Sequence, residues 1–296
     1  MTSIAKTLRT ERLNAWHVVA ALAMAALGVL ATLDAWKDMF LIAFNDEEYS
    51  HIFIVPIVAL WMVWVRRMRF RHCRASGTIV GPIVVAIGWA IAHYGFHHQA
   101  QSLWHGGSVL IVLGCMLAVL GKNVIFRFFP AFLVLIFMIP VPGTIRQDIA
   151  QPLQDWTANS ARTCLEILNV ETEVSGNVLS INGVPVTIAD ACNGMRMVFP
   201  LILVSYAFSF GLPLRQSVRL LVLLASPLAA IVCNVIRTVP TIWLYGNKSR
   251  EVADTFHTYS GWMMLPIAFL LLLGIIKLLR WAMLPVTRYP LASQAV

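Results

Sequence analysis

Three side chains suited to acyl transfer stand far apart in the sequence: Cys192, Arg237 and His257. Cys192 lies in "IADACNGMR" (188–196), immediately before an apolar run. A thiol becomes a strong nucleophile once deprotonated, and a helix N-terminus or a nearby cation favours the thiolate. His257, in "DTFHTYSGW", can take a proton and return it to a leaving amine. Arg237, in "CNVIRTVP", carries several fixed N–H donors that can stabilise a developing oxyanion. Arg196 follows Cys192 by four positions, so a helix places it on the same face one turn deeper. It can orient a carboxylate, pair with Asp190, or help hold the oxyanion. Gly194 allows close backbone approach.

Each residue type also has an ordinary reading. A cysteine near an apolar helix is usually packing, and Cys73, Cys115 and Cys233 are read that way. Cys164 shares a compartment with Cys192, so a disulfide is open to them, although no pattern indicates one. An arginine at a helix end often snorkels to the interface. His51, His97, His98 and His105 receive no catalytic assignment. No Cys/His spacing resembles a zinc framework, and neither a metal nor a cofactor is expected.

Whether the three residues meet depends on the elements that carry them. The chain has 296 residues, 59% of them hydrophobic and only 12% charged. A soluble domain cannot hide that much apolar surface. The composition fits an all-α polytopic membrane protein, read as one membrane domain over 1–296. Eight apolar segments approach or reach the ~20 residues that cross a hydrocarbon core. They run near 15–33, 51–66, 78–96, 104–121, 124–140, 193–211, 218–240 and 258–279; the second and fifth are short. The basic "MTSIAKTLRTER" resembles a signal-peptide n-region, but no small-x-small cleavage site follows it. It reads as the flank of a retained first helix.

Charge sets the orientation. With the N-terminus cytoplasmic, inner segments carry 14 of the 22 basic residues and outer segments 5, with Arg127, Arg196 and Arg237 in or beside helices. Both termini are then cytoplasmic. The basic loop "RRMRFRHCR" (66–74) anchors topology against anionic lipid, so the net charge of +8 does not call for nucleic acid. The same count puts Cys192 at the outer start of the sixth span, Arg237 near the outer end of the seventh, and His257 in the outer loop before the eighth. The 141–192 insert begins with a polar stretch in which Ile145, Ile149, Leu153, Trp156, Ala161, Leu165 and Leu168 recur at near-helical spacing. It predicts an amphipathic helix lying in the outer interface. Short β-branched runs broken at "SGN" and "NG" predict a small hairpin that delivers Cys192 to its helix.

These motifs resemble the exosortase/archaeosortase family. "ADACNGMR", "NVIRTVP" and "FHTYSGW" are similar to its Cys-x-Gly-x-Arg, Asn-x-x-Arg and His elements, in that order. "YSHIFIVPIVALWMVW" (49–64) resembles its Ser-His element, and "PVPG" and "QPLQ" its central segment. The resemblance covers about residues 45–275. It implies a multi-pass membrane cysteine transpeptidase acting on exported proteins that end in a Pro-Glu-Pro-like motif, one transmembrane helix and a basic tail. By position it makes Cys192 the nucleophile, Arg237 the oxyanion residue and His257 the acid/base, with Arg196 and Asn234 in support. It further implies a Gram-negative inner membrane, with the site on the periplasmic face. Membrane lipid and the exported substrate are the expected partners. Two rivals remain: a transporter lined by ionisable residues, with Pro56, Pro82, Pro200, Pro227 and Pro266 marking broken helices, and a non-enzymatic scaffold for an export or polysaccharide assembly system.

Overall fold

The computed structural model describes residues 11–75, 78–175, 178–181, 183–187 and 195–281. Within them the chain is overwhelmingly helical, with one two-stranded and one three-stranded antiparallel sheet. Among the described residues, four helices are long and apolar enough to cross a membrane, or up to seven if each of three bent helix pairs is one span. Two compact units divide the chain, Met1–Pro142 and Gly143–Val296.

In the first unit, α1 (Ala15–Ala31) opens on a capping box: Asn14 Oδ1 accepts from the His17 N–H, and His17 Nδ1 accepts from the Asn14 N–H. The chain then turns by 82° into α2 (Leu33–Asn45). The Thr32 hydroxyl fixes the corner, donating to Gly28 O at 2.8 Å and accepting from Trp36 Nε1 at 3.0 Å. From hydropathy, the stretch between the spans 15–33 and 51–66 is expected to be an outer connection. Ala35, Trp36, Met39 and Ala43 in fact make one buried helical face, diluted in sequence by Asp34, Lys37 and Asp38.

A 3₁₀ segment (Glu47–Phe53) leads into α3 (Val55–Val65), whose Pro56 sits in the first turn where no N–H is needed. The pair α4 (Val80–His97) and α5 (Gln101–Leu120) packs backbone against backbone. A Cβ at Gly107 would lie 2.4 Å from Ala92 N, and one at Gly81 would lie 2.4 Å from Ala118 N and Cα. Glycines 81, 88 and 95 recur every seven residues and keep one face of α4 flat. The expected continuous span 124–140 is instead broken into α6 (Lys122–Arg127), α7 (Phe129–Leu133) and a 3₁₀ segment (Val134–Met138). Pro130 explains the first break, because it has no N–H to continue the preceding helix.

The second unit begins with α8 (Gly143–Ile167), the amphipathic helix foreseen from its periodicity. Its apolar residues form two stripes about 150° apart, not one face. Thr157, Ala158, Ala161 and Leu165 are buried, whereas Ile145, Ile149 and Trp156 are exposed. Strands β3 (Glu173–Ser175), β4 (Val178–Ile181) and β5 (Val184–Thr187) follow as a meander, one strand more than a hairpin. Ile181 pairs with Val184 across the "NG" turn, where Gly183 takes a φ of +75° that an L side chain would resist.

Helices α9 (Met195–Gly211), α10 (Gln216–Asn247) and α11 (Arg250–Trp281) complete the unit. Ala158, Ala161 and Leu165 of α8, Leu179, Ile181 and Val186 of the sheet, and Ile242 of α10 form one core. Gly246 makes room for it: a Cβ there would meet Ile181 Cγ2 at 2.5 Å. The sheet thus seats on the last turns of α10. A second core of Val198, Leu201, Ala229, Ala230, Cys233, Met264, Ala268 and Leu272 joins α9, α10 and α11.

Candidate active site

Helices α10 and α11 each run 32 residues, ~48 Å of helical path against a hydrocarbon core of ~30 Å, with α11 bent by 44° between Arg250–Gly261 and Pro266–Leu278. Both exceed the apolar windows read from sequence. Helix α10 continues through Pro240 to Asn247, leaving Arg237 about three turns inside the helix instead of at its end. Helix α11 starts at Arg250, so His257 is two turns inside a helix, not in a loop. Hydropathy missed these extensions because "REVADTF" and "TIWLYGN" are too polar to score as membrane while still forming helix.

The two residues meet across α10 and α11. Arg237, only 2% exposed, places Nη2 2.6 Å from His257 Nε2. The same Nη2 donates to His257 O at 3.1 Å, and Nε donates to Ser260 Oγ at 3.3 Å. Ser260 Oγ in turn donates to His257 O at 3.1 Å. A guanidinium only donates, so His257 Nε2 faces Arg237 with its lone pair and the neutral ring carries its proton on Nδ1. Gly261 lies against the guanidinium: a Cβ there would stand 3.4 Å from Nη2, at van der Waals contact. Thr241 Oγ1 donates to Arg237 O at 2.7 Å, and Thr238 Oγ1 to Asn234 O at 2.7 Å. Asn234, one turn before Arg237, donates through Nδ2 to Thr157 Oγ1 of α8 at 3.1 Å. Above the pair, the Tyr245 hydroxyl bonds Asp254 Oδ1 and ties the same two helices.

Asp190, Cys192 and Gly194 lie outside the described residues. So does the side chain of Arg196, whose backbone forms the second residue of α9. Cys192 precedes the first residue of that helix by three positions. Among the described residues Cys73, Cys115, Cys164 and Cys233 are free thiols. Burial pushes the Cys73 thiol up, away from the thiolate.

The chain matches the transmembrane exosortase family over residues 36–274. The chain belongs to that family. It has no match among curated proteins or among solved structures. The part shared with other transmembrane exosortases contains every candidate residue named above, and the long apolar helices agree with a membrane protein.

Three residues around the pair of this exosortase were not singled out from sequence. Ser260 and Gly261 follow His257 by three and four positions, so a helical reading of "HTYSG" would have put them beside it. Thr157 carried no comparable signal, since its role depends on α8 packing against α10.

Proposed function

We propose that this exosortase is a membrane cysteine endopeptidase or transpeptidase that cleaves C-terminal sorting signals of exported proteins. The observation that carries the reading is the pair of buried Arg237 and half-buried His257, an arginine and a histidine brought together from separate helices. The order of the Cys, Asn-x-x-Arg and His motifs supports Cys192 as their nucleophile.

The pairing also suggests how the cycle starts. With its lone pair facing Arg237, Nε2 cannot serve as a base. A substrate carbonyl oxygen drawing the Arg237 donors toward itself releases that lone pair. Cys192 then gives its proton to Nε2, and Sγ attacks the carbonyl carbon. The carbonyl π pair moves to oxygen, where Arg237 stabilises it. Collapse expels the amine, which takes the proton from His257 and leaves a thioester on Cys192. Water at that thioester gives proteolysis; an amine or glycan-linked nucleophile gives transfer. The chemistry parallels that of sortases by convergence, without a shared fold. No cofactor enters any step.

The substrate class is an exported protein with a Pro-Glu-Pro-like motif, a single transmembrane helix and a basic tail. The location is an inner membrane, with both termini cytoplasmic and the site on the periplasmic face. The inward bias of Lys and Arg supports that orientation. The exposed stripe of Ile145, Ile149 and Trp156 suits α8 to the lipid interface.

The test is processing in cells. A reporter ending in such a signal is co-expressed with the unaltered chain, or with Cys192→Ala at equal membrane level. Loss of the reporter's C-terminal tag with the former and retention with the latter is expected. Equal processing by both removes Cys192 from the chemistry. A scaffold predicts indifference to Cys192→Ala, and a transporter predicts changed solute flux with the reporter still processed.

A further inference from the structure

Asn234 has an atom that the pairing of Arg237 and His257 does not use. The residue is 3% exposed, and Thr157, which holds its Nδ2, is 1% exposed. With Nδ2 turned to Thr157, the carbonyl Oδ1 is shut away from solvent and has no hydrogen-bond partner among the described residues. Buried carbonyl acceptors are nearly always paired, and an orphan asks what donor it is waiting for. Asn234 is three residues before Arg237, so the two side chains leave neighbouring positions on one face of α10. One offers only donors and the other a free acceptor. A peptide unit presents the complement, a C=O and an N–H.

We infer that Asn234 Oδ1 is a substrate-binding acceptor for a main-chain N–H of the bound peptide, with Thr157 as the positioning residue that keeps the acceptor end of the amide unblocked. The inference rests on the peptide-processing reading above and adds a recognition element to it. Arg237 takes a carbonyl, Asn234 takes an N–H close by, and together they fix the register of an extended chain. Recognition through the main chain tolerates different side chains at that position, which suits an enzyme handling many exported proteins. It rejects a peptide in which that N–H is missing, because Oδ1 would then stay buried and unpaired.

The experiment uses the full chain carrying Cys192→Ala in lipid nanodiscs, so that binding is read without turnover. The probe is a fluorescent synthetic peptide carrying the Pro-Glu-Pro-like signal. Each non-proline amide in turn is replaced by an ester, which removes one N–H. One ester is expected to weaken binding roughly tenfold. In an added Asn234→Leu change the parent peptide binds weakly, and that same ester costs nothing more. Thr157→Val is expected to weaken the parent peptide but not the ester, and Thr157→Ser to restore the parent. A flat ester scan with Asn234 intact overturns the inference even if the leucine variant fails to fold. So does an ester cost that is unchanged by Asn234→Leu. If the parent peptide does not bind with Asn234 intact, the peptide-processing reading fails and takes this inference with it. If it binds without the coupling, this inference alone falls.

Discussion

The two units hold their principal helix pairs together in opposite ways. Between α4 and α5 the contact is backbone on backbone, made by removing side chains: Gly81, Gly88, Gly95, Gly107 and Gly114 all sit where a Cβ would meet the partner at 3.0 Å or less. Between α10 and α11 the contact includes polar side chains kept inside: Arg237, His257 and Ser260 bridge the helices, and Asn234 and Thr157 tie α10 to α8. Gly261 belongs to the second mode, where a Cβ would only touch the Arg237 guanidinium, at 3.4 Å, and would not clash with a neighbouring backbone. A close glycine seam in lipid is a way of holding two helices. A buried cation with a histidine on it is expensive to keep, and chains retain such groups where they are used. The difference supports the proposal that places the chemistry in the second unit.

The largest expected effect comes from closing the glycine seam. Gly107→Leu drives a side chain into Ala92, and overpacking of that size should cost more than ~3 kcal/mol. Little folded protein should be recovered by size-exclusion fluorescence. Arg237→Ala should instead leave substantial folded protein while lowering reporter processing by ~10²-fold or more, as loss of an oxyanion donor does. Arg237→Lys should restore little, because one ammonium cannot reach Nε and Nη positions together. Ser260→Ala removes the Nε partner and should cost about three- to tenfold in processing, equivalent to ~1 kcal/mol. Gly274→Ala sharpens the contrast from the other side. Nothing lies within 4 Å of a Cβ there, so helix propensity alone should act and thermal stability should hold or rise slightly.

Much of this architecture was legible in the sequence, and the failures have common causes. Hydropathy located α4 and α5 within a few residues because lipid solubility depends on composition over a ~20-residue window. It stopped short on α10 and α11, whose helices outrun the apolar core, and it passed over α2, where charges dilute a buried face. The "NG" and "SGN" breaks marked both turns of the meander. Arg237 and His257 were legible as a pair from charge bias and motif order. Their contact, and the tautomer it imposes, were not, because a single χ angle decides them. Thr157 was hidden for a different reason: a threonine among polar helix residues becomes informative only once α10 is seen beside it.

The most direct measurement is mass spectrometry of the chain trapped during processing of the sorting-signal reporter. The account predicts a fragment of the reporter joined to Cys192 through a hydroxylamine-labile thioester, absent in Cys192→Ala and depleted in Arg237→Ala. Processing with no adduct at Cys192, or an adduct on another residue that survives Cys192→Ala, would contradict it.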